Sequence, residues 1–258
     1  METLSAVIIT YNEETNIVAC LESVSWADEI VVVDSGSTDR TVELCKKYTD
    51  QVFYRPWPGY AVQKNRAFDL ASGDWILSLD ADERVTPELA VEIKNILEHP
   101  EAEIAGYYLP RRVFYRGKWL RHGGFYPEKR LRLFRRGRGR CGNQAVHESI
   151  HVEGKVSALT HPVEHHSYHS VSDYLDRMER YSSLSAEEYL RQGRRIGPLR
   201  MSVYAGFNFF KMFFLQRGFL DGYEGFLMAC LYSVYTFVKY AKLMELSRQD
   251  EIADKDGP

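Results

Sequence analysis

Short apolar runs, each followed at once by a helix-start signal, set the tightest limit on how this chain folds. Residues 5–10 and 30–34 are continuous and rich in β-branched side chains, the pattern of strands covered on both faces of a parallel sheet. After the first run comes Asn12, a good N-cap, with Glu13 and Glu14 in the first turn; after the second come Ser37, Thr38 and Asp39. A third strand is expected near residues 51–54 and a fourth at 75–79, with a helix at about 60–71 between them. Thr86 then caps a helix that has Pro87 at its first position. This alternation predicts an α/β fold with a mostly parallel sheet flanked by helices.

Length and composition narrow the class. The 258 residues suffice for one domain or a domain with an appendage. With 45% hydrophobic and 27% charged residues, a disordered, collagenous or polytopic membrane chain is excluded. The net charge of -3 conceals an asymmetry: residues 111–140 hold 12 of the 33 Lys and Arg but only one of the 36 acids, Glu128. A basic surface set into an acidic body asks for an anionic partner. Cys20, Cys45, Cys141 and Cys230 lie far apart with no C-x-x-C pair, so neither a disulfide framework nor a cysteine zinc site is indicated and a reducing cytoplasm fits. Met1 and Glu2 lead directly into the first apolar run, so no export signal is expected.

The later chain changes character twice. Residues 107–143 are rich in Gly, Arg and aromatics, and Leu131 and Leu133 alternate with Arg130 and Arg132, which predicts loops and antiparallel strands. From Ser170 the period becomes helical, with Ser170 to Asp173 supplying a cap. Residues 204–240 contain 13 of the 30 Phe and Tyr, yet the longest uncharged run there, 225–238, falls short of the roughly 20 residues a spanning helix needs. With Lys211, Arg217, Lys239 and Lys242 interspersed, the segment suits helices at a membrane interface, a homodimer interface or a helical cover over the sheet.

Three polar clusters fall at the carboxyl ends of expected strands: Thr10 to Glu14, Asp34 to Ser37, and Asp80 to Asp82. In open α/β sheets ligands bind at that edge. Asp80 and Asp82 are two apart in what reads as an extended segment, so both side chains leave one side and can address one Mg²⁺ or Mn²⁺. A solvated acidic turn is the bland reading of an isolated D-x-D, but here it follows an apolar strand and precedes a helix cap. Asp34 can accept hydrogen bonds from a nucleobase, and the amides near Asn12 can bind ribose or phosphate. Neither G-x-G-x-x-G nor G-x-x-x-x-G-K-[ST] occurs, which argues against dinucleotide and P-loop enzymes.

Thr10-Tyr11-Asn12-Glu13-Glu14, Val32 through Asp39, Lys64-Asn65-Arg66-Ala67, Ala71 through Trp75 and Asp80-Ala81-Asp82-Glu83 together resemble a family 2 glycosyltransferase of the GT-A fold. Tyr126 through Phe134 and Val146-His147-Glu148 are similar to the subgroup containing lipopolysaccharide core β-glucosyltransferases. The resemblance implies a GT-A-type, Rossmann-like nucleotide-sugar domain with a C-terminal helical extension. Residues 1–169 would be catalytic, with 1–100 on the nucleotide-sugar side and 101–169 on the acceptor side; 170–247 would be helical and 248–258 a tail. It implies inverting transfer from a nucleoside diphosphate sugar, a UDP-hexose foremost, to an envelope glycolipid. By carry-over, Thr10, Tyr11, Glu13, Asp34, Lys64 and Asp80 contact the nucleotide, Asp82 with Asp80 holds the metal, and Glu148 is the base that removes the acceptor proton. A surface glutamate, or one paired with the arginine block, is the bland reading of Glu148.

Four histidines, His161, His165, His166 and His169, follow; His165 is the best match to a C-terminal histidine that approaches the metal in some GT-A enzymes, and a slip to His166 or an ordinary structural role stays open. Arg130 and Arg132 read as an electropositive rim for an acceptor or donor phosphate; no nucleic-acid-binding motif accompanies the charge. His147-Glu148-Ser149-Ile150-His151 also satisfies the H-E-x-x-H pattern of zinc proteases. That pattern needs a helix, whereas the alternation around Ile150 and Val152 reads as a strand, on which the two histidines stand about 13 Å apart. Two further alternatives are a polyprenyl-phosphate glycosyltransferase, which should not need Glu148, and a non-catalytic nucleotide-binding or membrane-docking protein. The transferase reading implies a cytoplasmic protein, peripheral at the inner face of the membrane, and without Q-x-x-R-W a single addition.

Overall fold

A computed structural model describes residues 1–142 and 149–255. The chain forms two compact units, one from residues 1–113 and 127–167, the other from 114–126 and the chain from 168 onward.

In the first unit, burial on both faces makes the apolar runs strands. All seven residues of β1 (Leu4–Thr10) are buried, and its side chains alternate between two cores. Leu4, Ala6 and Ile8 join Trp75, Leu77, Leu89 and Ile93 on one face; Val7 and Ile9 join Val31, Ile76, Phe68 and Phe134 on the other. Each fully buried Leu, Ile or Phe contributes about 1.5–3 kcal/mol. The helices α1 (Ile17–Ser23), α2 (Thr41–Cys45), α3 (Tyr60–Leu70) and α4 (Pro87–Glu98) connect or follow the strands, which places them over the sheet. β2 (Glu29–Asp34) and β4 (Trp75–Asp80) flank β1 in parallel, and β3 (Val52–Tyr54) adds outside β2. Thr86 caps α4 as the sequence predicts, accepting a hydrogen bond from the Leu89 amide with Pro87 at the first helical position.

The sheet then turns antiparallel. After β5 (Glu83–Val85) come β6 (Ile104–Tyr115), β7 (Lys118–Leu120), β8 (Glu128–Arg135), β9 (Gly139–Cys141), β10 (Ile150–Val152), β11 (Lys155–Ala158) and β12 (Val163–Tyr168). The order is β3-β2-β1-β4-β8-β6-β12-β5, with β7 and β11 also on β6, and β9 and β10 forming a separate pair. β8 is antiparallel to both β4 and β6, so it is an interior strand. This is the expected α/β class, a curled sheet flanked by helices.

The helix starts differ from the sequence reading. Asn12 is not an N-cap: its φ is 53°, and α1 begins only at Ile17. The intervening amides are spent on the neighbouring loop, since Asn12 N–H donates to Ser37, Glu13 N–H to Thr41 and Glu14 N–H to Asp39. Asn12 Oδ1 returns a bond by accepting from the Thr38 amide at 2.8 Å. The two polar clusters thus lock each other, and the amides of residues 12–14 are already engaged.

The second unit is helical, with α5 (Val171–Arg191), α6 (Pro198–Phe210), a π-turn at Lys211–Leu215, a 3₁₀ turn at Gly218–Asp221 and α7 (Gly222–Lys255). Ser170 caps α5 by accepting from the Asp173 amide. α7 continues past residue 248, where the sequence suggested a tail. It packs on both neighbours: Ser233 donates to the Ala205 carbonyl, Asn208 to the Tyr232 carbonyl, and Lys242 to Glu179 and Ser182. A Cβ on Gly225 would overlap the Gly218 carbonyl oxygen, so glycine is required at this crossing. Residues 114–126 join this unit through the His122 amide and Nδ1, both within 2.9 Å of Asp221, the Gly123 amide on the Gln216 carbonyl, and Phe125 against Tyr232. Among the described residues no helix is long and apolar enough to cross a membrane.

Candidate active site

Strand register brings the three polar clusters level. Thr10 lies opposite Asp34 and Ile9 opposite Asp80, at the carboxyl edge where the strand order reverses about β1. The Thr10 hydroxyl is buried without a hydrogen-bond partner, an uncommon state for a polar atom and a reason to look for a ligand. Asp34 is also buried. Its Oδ2 accepts from the Gly36 and Ser37 amides at 2.8 and 2.9 Å, and its Oδ1 accepts from the Ser37 hydroxyl. Gly36 has φ 101°, a conformation open to glycine that the turn requires. Tyr11 is half exposed beside this loop's partner segment, and Glu13 accepts from the Asn16 side chain at 2.8 Å.

Asp80 ends β4 between two cations. Lys64 on α3 reaches its Oδ1 at 2.9 Å, and Arg132 on β8 reaches its Oδ2 at 2.6 Å. The same Arg132 nitrogen lies 2.7 Å from Glu83, whose other oxygen accepts from the Asp80 amide at 3.0 Å. Glu83 is fully buried, and Arg111, which also pairs with Glu128, stands 3.9 Å from the same Glu83 oxygen that Arg132 reaches. Burial opposes ionisation of Asp80, but Arg132 and Lys64 beside it hold its carboxyl well below the usual range. Arg132 is therefore no part of an open electropositive rim, as its alternation with Leu131 suggested. It is 6% exposed, and its guanidinium is engaged by Asp80 at the β4 terminus and by the buried Glu83. Arg130 is more open and pairs with Glu128.

Asp82 takes a different direction. β4 stops at Asp80 and β5 starts at Glu83, so Ala81 and Asp82 form a turn and not the extended segment inferred from the D-x-D spacing. The Asp82 Oδ2 faces His165 Nε2 at 3.2 Å. Pairing of β12 with β5, which sets His165 opposite Glu83, makes this contact, and the His166 amide donating to the Asp82 carbonyl at 2.9 Å fixes it. On the other side of the ring, His165 Nδ1 is 2.6 Å from the buried Ser167 hydroxyl. A carboxylate beside an imidazole whose second nitrogen is held is a donor pair suited to Mn²⁺ or Mg²⁺ when phosphate oxygens complete the coordination. Among the described residues no group of three or more His, Cys, Asp or Glu converges on one point.

The remaining histidines separate. His161 is held by Glu92 through its amide and Nδ1, His166 Nε2 lies 3.3 Å from Glu164, and the His169 amide donates to Asp173. His151 stands on the strand β10, with its Nε2 3.0 Å from the Ser149 hydroxyl, and not on the helix that an H-E-x-x-H zinc site needs. Glu148, the proposed base, and His147 lie outside the described residues. Glu83, Arg111 and Ser167 were not singled out from the sequence. Glu83 follows two acids at the end of a buried strand, and buried carboxylates demand cations; that demand is the signal that pairs it with the arginines of the basic block.

The chain belongs to glycosyl transferase family 2, whose sequence profile matches residues 5–152. It is 34% identical to a lipopolysaccharide core biosynthesis glycosyltransferase of Rhizobium meliloti, over 94% of this chain and 92% of that protein. It is 32% identical to an uncharacterized glycosyltransferase of Rickettsia typhi, over 96% of this chain and 88% of that one. Among solved structures it is similar to glucosyl-3-phosphoglycerate synthase from Mycobacterium tuberculosis in complex with Mn²⁺ and UDP-glucose, at 28% identity over 45% of this chain and 44% of that one, with a TM-score of 0.35.

Proposed function

We propose that this chain transfers a sugar, with inversion, from a nucleoside diphosphate donor such as a UDP-hexose to an envelope glycolipid such as the lipopolysaccharide core. The observation that carries the reading is the Asp82–His165 pair at the sheet edge where Thr10, Asp34 and Asp80 end their strands. Family membership supports glycosyl transfer, and the Rhizobium relative aligned over nearly the whole chain supports the acceptor class.

Each residue then has a task. The buried, unpartnered Thr10 hydroxyl meets a polar atom of the nucleotide, and the exposed Tyr11 ring offers a face for the base. Asp34 shapes the loop and accepts from the base, and Glu13 borders the ribose. Lys64, fixed on Asp80, keeps a cation near the diphosphate without a mobile side chain to order. Asp82 and His165 would hold Mg²⁺ or Mn²⁺, with Asp80 acting through Lys64 and Arg132. When bound, such an ion neutralises charge on the departing diphosphate. Glu148 accepts the proton of the attacking hydroxyl, and Arg130 meets an acceptor phosphate. The protein works in the cytoplasm at the inner membrane face, in contact with lipid through its C-terminal helices.

A thermal-shift panel of UDP-, GDP- and ADP-sugars with and without Mn²⁺ tests the donor site. A metal-dependent rise for one nucleotide, lost in Asp82→Ala, is expected; no metal-dependent response, or an intact one in Asp82→Ala, removes the model. Glu148→Gln is expected to abolish transfer with donor binding intact, and undiminished transfer removes the base assignment.

A further inference from the structure

The face of α6 turned away from α7 carries a second apolar stripe. Along α6 and the π-turn, Met201, Ala205 and Met212 are buried. Leu199, Val203, Phe207, Phe210 and Phe214 are instead 48–78% exposed. At about 100° per residue, these five fall within an arc of about 80°, centred about 180° from the buried three. A helix that buries one stripe should turn a polar face outward. This one turns out its largest apolar side chains, and exposed Leu215, Phe219 and Leu220 extend the patch.

Charge says what covers it. Between Glu188 and Asp221 the sequence contains six Arg and Lys and no Asp or Glu. Two of the cations, Arg200 and Lys211, are exposed and flank the outer stripe on one side. A second copy packed antiparallel on this stripe would set Arg200 and Lys211 of the two chains side by side as like charges. An anionic lipid surface complements the same arrangement, with aromatic and aliphatic side chains in the acyl boundary and cations among the headgroups. No described helix is long and apolar enough to cross a membrane, so a lipid-bound α6 would lie in the plane of the surface.

We propose that α6 and the turns that follow it, residues 198–220, form an in-plane anchor that binds anionic membrane surfaces. This deepens the membrane part of the reading above and is separable from the transfer reaction, because its test contains no nucleotide-sugar.

Co-sedimentation of the full chain with phosphatidylcholine vesicles, and with vesicles containing 30% phosphatidylglycerol, about a physiological anionic fraction, is the experiment. Partition at least about ten-fold stronger to the anionic vesicles, weakened by salt, is expected. Phe207→Ser/Phe214→Ser should lower it by at least about ten-fold with the circular-dichroism spectrum of the folded chain retained, since both side chains are half exposed. Arg200→Glu/Lys211→Glu should abolish the preference for anionic lipid while leaving the fold intact. Equal partition of the wild type and both variants overturns the proposal. So does concentration-dependent dimerisation in lipid-free buffer that Phe207→Ser/Phe214→Ser removes, because the occupant is then a second copy.

Discussion

Replacing Arg132 by Met tests the charge network at the end of β4. Methionine keeps much of the volume and removes the guanidinium, so packing changes little. The nitrogen that bridges Asp80 at 2.6 Å and Glu83 at 2.7 Å is lost. Asp80 retains Lys64 at 2.9 Å and is partly exposed, so it is the lesser sufferer. Glu83 is fully buried and is left with Arg111 at 3.9 Å as its nearest cation. Two charge-assisted hydrogen bonds disappear, and removing one partner of a buried network destabilises by about 3–5 kcal/mol. At about 2–4 °C per kcal/mol for a unit of this size, Tm should fall by about 6–20 °C. Urea unfolding followed through Trp fluorescence reads it as a lower midpoint at constant m, with fully buried Trp75 reporting from the first unit. The double variant Arg132→Met/Glu83→Gln should recover more than about 1 kcal/mol, because the orphaned charge is gone. A single-variant loss under about 0.5 kcal/mol, or simply additive losses in the double variant, would refute the network as a unit.

Glu29 gives a pH-dependent prediction. Burial opposes its ionisation, yet hydrogen bonds from Ser5, Ser72 and Gln51 hold its pKa below the usual value. The stabilisation is therefore complete above the ordinary glutamate value of about 4.3 and is lost as pH falls through the lowered folded-state value. Glu29→Gln should cost about 1–2 kcal/mol at pH 7, and the gap from the wild type should narrow steadily as pH falls below about 4.3; a gap that stays constant down to the acid-unfolding region contradicts the linkage. Gly225→Ala drives a methyl into the Gly218 carbonyl, so a Tm loss is expected, and a Tm equal to the wild type shows that α7 and the 3₁₀ turn do not cross as described.

The parallel half of the sheet was readable because its strands are local apolar runs with punctuation at both ends. Thr86 and Pro87 marked α4 for the same reason. Asn12 misled because a good capping side chain is equally good at binding a neighbouring loop, and its left-handed backbone turns it toward Thr38. Arg132 misled because alternation alone indicates one polar face, and only the non-local contacts with Asp80 and Glu83 show that its charge is buried there. Asp80 and Asp82 were rightly marked as edge residues, but the turn between them sends one to Lys64 and Arg132 and the other to His165. Sequence resemblance preferred His165 over His166; what physically separates them is the pairing of β12 with β5, made across 82 residues of chain.

The interruption of the helical unit by residues 127–167 also sets a clock on synthesis. The His122 and Asp221 that pair in it are 99 residues apart. At about 5–20 residues per second, the 114–126 segment waits about 5–20 s for its partners. During that interval Phe125, buried in the finished protein, lacks the Tyr232 ring it packs against. The same short segment is thus the place where a nascent chain would most need a chaperone, and where slowed translation between residues 126 and 221 would be felt first.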